Sequence, residues 1–173
     1  IKRIFREIIT TLHVRPFRIK IAAGFTWSAM FGTMIALVIL ALTYFWGMPP
    51  GQVGIVISTC VASIMIGAIF ARPIMSLIGE KKETYIASMV WFAVWTSSTI
   101  ILRLIGFFPP NGHWSILPLI TITNAIAYAG HGVGSAMSAS MIADITDENE
   151  RLYNVRQEGI YYGAISLMAK IAS

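Results

Sequence analysis

Charge is scarce in this sequence. Lys, Arg, Asp and Glu make up 12% of its 173 residues, while hydrophobic residues make up 56% and mean hydropathy is +0.71. A soluble domain carries about 25% charged residues, so there are too few here to cover a water-facing surface. Cysteine is almost missing as well. Cys60 is the single one, which excludes an internal disulfide framework or a thiolate metal cluster. His13, His113 and His131 stand far apart, with no HExxH or CxxC spacing. No glycine-rich run has the form that cradles nucleotide phosphates. No acidic residue falls inside an apolar run long enough to cross a membrane, so a paired-aspartate intramembrane hydrolase has no support. These absences argue against an enzyme, a cofactor and a metal site.

What is present is a succession of long apolar runs. A membrane span needs about 20 apolar residues, and the chain holds four such runs and the start of a fifth. The expected fold is therefore all-α and transmembrane, with spans over about 19–46, 52–78, 85–106, 116–143 and 159–173. The last is incomplete: fifteen residues at about 1.5 Å each reach about 22 Å, short of a hydrocarbon core of about 30 Å. Residues 1–18 form a separate linker. Ile1, Ile4, Phe5, Ile8, Ile9 and Leu12 share one helical face and Lys2, Arg3 and Arg6 the other, which suits an interfacial or cytoplasmic amphipathic helix. The chain reads as part of a longer product.

The basic residues orient the spans. Lys2, Arg3, Arg6, Arg15, Arg18 and Lys20 precede the first; Arg72, Lys81 and Lys82 lie at the second turn; Arg151 and Arg156 lie at the fourth. The first and third turns hold no Lys or Arg. This alternation is the positive-inside pattern. It places the amino terminus, the Glu80 turn and the 144–158 loop in the cytoplasm of a multi-pass plasma (inner) membrane protein. The net charge of +5 is thus topological, and nucleic acid is not an expected partner. Arg103 is the exception, near the outer end of its span, where snorkelling to the interface accounts for it. Tyr44, Phe45 and Trp46 read as an aromatic interface anchor. Gly24, Ser28 and Gly32; Ser63, Gly67 and Ala71; and Gly130, Gly134 and Ser138 form small-residue stripes that let helices approach closely.

Two features point beyond packing. Lys170 lies about 16 Å into the fifth helix, near mid-depth, where an ammonium costs at least about 2.5 kcal/mol and marks an ion or solute path. No acid of this chain lies at matching depth, so its partner is expected elsewhere in the whole protein. The second feature is the polar loop from Asp144 to Glu158, whose Asp144, Asp147, Glu148, Glu150, Arg151, Arg156 and Glu158 form a candidate ion-pair network. Exposed pairs are worth only about 0–1 kcal/mol, so such a network gates only if partly buried. Within the spans, His131, Asn124, Tyr128 and Trp27 are candidate cavity residues, with Trp91 and Trp95 as further rings able to stack on a sugar; for each, ordinary packing is the competing reading.

The run Met141-Ile142-Ala143-Asp144-Ile145-Thr146-Asp147-Glu148-Asn149-Glu150, then Val155-Arg156-Gln157-Glu158-Gly159-Ile160-Tyr161-Tyr162 and Lys170, resembles the glycoside-pentoside-hexuronide:cation symporters, the melibiose permease-like family of the major facilitator superfamily. Arg15-Pro16-Phe17 resembles that family's approach to its seventh helix. The resemblance implies helices seven to eleven of a transporter, the carboxy-terminal half without its last helix. It implies cation-coupled symport, by sodium or proton, of a sugar, glycoside or similar small polar solute. It also implies an amino-terminal half as partner, carrying most of the cation site. Lys170 then matches the family's cavity-facing lysine, and Asp144, Asp147, Glu150, Arg156 and Glu158 match its cytoplasmic gating network. The alternatives are a transporter of lipid or another solute in the same superfamily, and a non-transporting membrane scaffold.

Overall fold

In the computed structural model the described residues are 15–153, with Ser166 and Lys170. The amphipathic segment of residues 1–12, Arg156 and Glu158 lie outside them. All regular structure among the described residues is helical. Helix α1 covers Arg15–Leu40 and runs into a π-helical turn, Ala41–Phe45. Helices α2 (Pro50–Ile69), α3 (Ala71–Ile78), α4 (Lys81–Leu104) and α5 (Ile116–Tyr153) follow. Among the described residues, four stretches are long and apolar enough to cross a membrane: Ala22–Phe45, Pro50–Ile69, Lys81–Leu104 and Ile116–Glu148. Large apolar side chains such as Ile35, Met65, Ile69, Val94 and Ile101 stand exposed along them, as lipid-facing surface requires.

The punctuation between helices follows from local chemistry. In the π turn Trp46 N–H donates to Ala41 O at 3.0 Å, an i+5 bond, and Met48 N–H reaches Leu42 O at 3.0 Å. Gly47 then takes φ +66°, which an L side chain resists. Pro50 opens α2 at its first position, where the missing N–H costs nothing. Pro73 has no N–H to give the carbonyl four residues back, and the chain breaks at Phe70 between α2 and α3. Gly79, at φ +115°, ends α3 while its N–H caps Met75 O at 2.8 Å, a glycine stop. Along the spans hydroxyls turn back on their own helix. Ser63 donates to Thr59 O, Ser88 to Thr84 O and Thr96 to Phe92 O, at 2.7–2.8 Å. That is where a hydroxyl goes when no water is available.

The chain divides into two compact units, one of Ile39–Met141 and one of Ile1–Val38 with Ile142–Ser173. In the first, small residues set the helix spacing. A Cβ on Gly132 would strike the carbonyl oxygen of Ile64, and one on Gly67 the carbonyl of Ala129. Helices α2 and α5 therefore touch backbone to backbone, as small-residue contacts allow in lipid. Gly130 makes room for the Trp91 ring and Gly134 for the end of Met89. Lower down, Ala71, Val133 and Met137 form a buried cluster joined by Ile74, Met75 and Tyr85. In the second unit a Cβ on Gly24 would meet no described atom within 4 Å.

Local expectations change in two places. The span expected over 52–78 is broken at Phe70 into α2 and α3. The chain does not leave the helix at Ala143: α5 continues through Asp144 to Tyr153. Charge ends a membrane crossing, but Asp, Glu and Arg do not end a helix.

Candidate functional site

Helix α5 has two chemically distinct faces within the Ile39–Met141 unit. Thr121, Asn124, Tyr128 and His131 follow one another at spacings of three, four and three, which puts them on one face. The opposite face carries Ile126, Ala129, Gly130 and Val133, which line an apolar groove with Gly67, Phe70, Ile74 and Trp91. A polar stripe through an otherwise apolar crossing marks the side turned toward protein or a watery path.

The stripe is built from the chain's own constraints. Asn124 Nδ2 donates to Ile120 O at 2.8 Å, tethering the amide to its helix. Tyr128 and His131 are buried, and both rings pack on Phe92 of α4, itself only 2% exposed. The Phe92–Tyr128 centroids are 5.2 Å apart at 88°, an edge-on contact; Phe92–His131 is 5.3 Å and Tyr128–His131 6.3 Å. Three rings thus fix one another's orientation, each pair within the range of favourable aromatic geometry. Thr121 Oγ1 is buried with no hydrogen-bond partner among the described residues. Thr121 and Phe92 were not among the sequence candidates. The signal for Thr121 was its position three residues before Asn124; Phe92 left no polar signal at all.

The other sequence candidates fall elsewhere. Trp27 belongs to the Ile1–Val38 unit and stacks on Phe31 at 5.8 Å and 20°. Trp91 and Trp95 pair at 5.6 Å, and Trp91 Nε1 donates to Ile126 O at 3.0 Å, so Trp91 serves the helix contact and the apolar groove. Asp144 and Asp147 are exposed and Glu150 is half-buried, all on the terminal turns of α5. Arg156 and Glu158, the remaining members of that group, lie outside the described residues. Lys170 is helical and exposed.

At the Gly47 end of the unit, Arg103 is not merely snorkelling. Its guanidinium lies over the rings of Phe45 and Trp46, 4.9 and 4.7 Å from their centroids, and its Nη2 donates to Asn111 Oδ1. Asn111 Nδ2 donates in turn to Phe45 O at 3.4 Å. Trp46 also packs on Phe108 at 5.0 Å. Of the three aromatic residues expected at the interface, Tyr44 stands 79% exposed, whereas Trp46, at 5%, is an interior packing residue. The cation ties the π turn and Trp46 to the end of α4 and to the loop before α5.

A family model described as MFS/sugar transport protein matches residues 1–173. The chain belongs to this family. It is thus a multi-pass integral membrane protein of a transporter superfamily, with the all-α transmembrane fold its helices display. No curated protein and no solved structure shows a significant match.

Proposed function

We propose that the protein acts as a cation-coupled symporter of a sugar, glycoside or similar small polar solute, driven by sodium or protons. The observation that carries the reading is the polar stripe of Thr121, Asn124, Tyr128 and His131 on a membrane-crossing helix of a sugar-transport family member. Secondary transporters bind solute near the bilayer midplane between two helical halves that rock about it. An amide, a phenol and an imidazole supply both donors and acceptors for hydroxyls, and packing on Phe92 holds the phenol and imidazole rings in place. The amino-terminal half of the transporter would supply most of the cation site. Lys170 would face that site and respond to its occupancy. Asp144, Asp147, Glu150, Arg156 and Glu158 would form the cytoplasmic network that closes the inner side. Positive charge on alternate turns supports a cytoplasmic amino terminus in a plasma (inner) membrane.

A second reading, transport of a lipid, draws on the apolar groove of about 510 Å³ between α2, α3, α4 and α5. Uptake into proteoliposomes separates the two. Gradient-driven accumulation of a labelled pyranoside, uncompeted by lysophospholipid, supports the sugar reading. Competition by lysophospholipid with no pyranoside uptake supports the lipid reading and rejects the first.

A further inference from the structure

A second cavity opens at the Gly47 end of the Ile39–Met141 unit, apart from the polar stripe. It has a volume of about 270 Å³ and is walled by Trp46, Gln52, His113 and Trp114 with the backbone of Gly47 and Gly112. At about 30 Å³ per water it has the volume of roughly nine waters, enough for a pyranose ring. Its walls are mixed in the manner of a sugar site, with ring faces beside a few hydrogen-bonding groups.

The wall is preformed. Trp46 is held by Phe45, Phe108 and the Arg103 guanidinium, and Gly47 packs against Asn111, whose Nδ2 would lie 3.1 Å from a Cβ there. The tautomer of His113 is also set. Ser115 N–H reaches His113 Nδ1 at 3.3 Å and Ser115 Oγ lies 2.7 Å from it. A backbone N–H only donates, so Nδ1 accepts, and the neutral ring carries its proton on Nε2. The Trp114 indole packs on His113 at 5.7 Å and is 80% exposed, leaving one face open. Among the described residues no acidic one lines the cavity, and none occurs in the sequence between Glu83 and Asp144. The cavity therefore lacks the carboxylates a cation would need and presents donors to oxygen acceptors.

We infer that this cavity is a docking site for a pyranoside, with Trp114 against the C–H face of the ring and Gln52 and His113 Nε2–H on its hydroxyls. It rests on the reading of the solute as a sugar. On the orientation given by the charges it lies at the outer surface, where a solute would pause before reaching the midplane. Loss of the indole face should weaken binding about tenfold, the effect of one aromatic contact at the upper end of its range. Loss of the Gln52 amide should weaken it about fivefold, as for one neutral hydrogen bond.

The test is saturation-transfer NMR on the protein in lipid nanodiscs free of sugar detergent. Methyl β-D-glucopyranoside is the probe and acyclic sorbitol the control, with uptake measured in parallel. The expected result is saturation of the pyranoside ring protons, weakened in W114A and Q52A, and none for sorbitol. Both side chains stand at the protein surface or its edge, and unchanged helicity by circular dichroism confirms that each variant folds. Equal binding by wild type, W114A and Q52A overturns the site and leaves Trp114 an interface anchor, while the sugar reading survives through uptake. Absence of both binding and uptake in the wild type overturns the site and the sugar reading together.

Discussion

Replacing Arg103 by Ala should destabilise the protein measurably, although the residue touches no proposed solute. The guanidinium sits 4.9 Å from the Phe45 centroid and 4.7 Å from that of Trp46, both inside the distance at which a cation feels the ring quadrupole. Each contact at a partly exposed site is worth about 0.5–1 kcal/mol. The hydrogen bond to Asn111 adds about 1 kcal/mol once its exposure is allowed for. The loss is then about 2–3 kcal/mol, which for a chain of this length lowers Tm by about 4–12 °C. Cys60, the single cysteine and half-buried, makes the assay simple: a thiol-reactive fluorophore reports its exposure on heating in detergent. R103K keeps the charge but loses the planar fork that stacks and bonds together, and should fall between Ala and wild type. R103M keeps much of the volume without the charge and should resemble Ala. A Tm for R103A within about 1 °C of wild type, well below the shift expected for about 2–3 kcal/mol, would refute the clamp.

Three further outcomes follow from the same physics. G132A places a methyl on the carbonyl of Ile64 and should cost about 2 kcal/mol or more by overpacking, whereas G54A, with nothing within 4 Å, should be neutral or stabilising by up to about 1 kcal/mol through helix propensity; thermal melts of the pair check this. W91F removes the Nε1 bond to Ile126 O and should lower stability by about 1 kcal/mol, read by the same thiol assay. K170Q should abolish accumulation against a gradient while leaving solute exchange, measured in proteoliposomes; full accumulation by the variant would remove Lys170 from coupling.

The helices were legible because membrane crossings follow from composition alone. Four apolar runs of about 20 residues have few other folds available to them in lipid. The close contact of α2 with α5 was legible in part, through Gly67 and the Gly130–Gly134 region, because small residues announce a contact without naming its partner. Gly132, where the Ile64 carbonyl comes closest, stood outside the expected four-residue stripe. The π turn over Ala41–Phe45 was not legible: it exchanges i+4 for i+5 bonds without any breaker in the sequence, since Gly47 and Pro49 come after it. The role of Arg103 was hidden for a related reason. Its partners Phe45, Trp46 and Asn111 lie 58, 57 and 8 positions away, and only the fold brings them together. The continuation of α5 past Ala143 is not legible from hydropathy, which marks where a span leaves lipid, whereas a helix continues wherever its residues tolerate it. In the polar stripe, Asn124, Tyr128 and His131 stood out as polar groups in an apolar run, whereas Phe92, which aligns two of them, looked like any core residue.

Cation-coupled movement of a small polar solute is decided by gradient-driven uptake. The transporter is reconstituted into proteoliposomes, and uptake of a radiolabelled pyranoside is followed under an inward sodium gradient, an inward proton gradient or neither. Accumulation above equilibrium is expected with one of the two gradients, collapsing when that gradient is dissipated. Uptake that only equilibrates, whichever gradient is imposed, would contradict it.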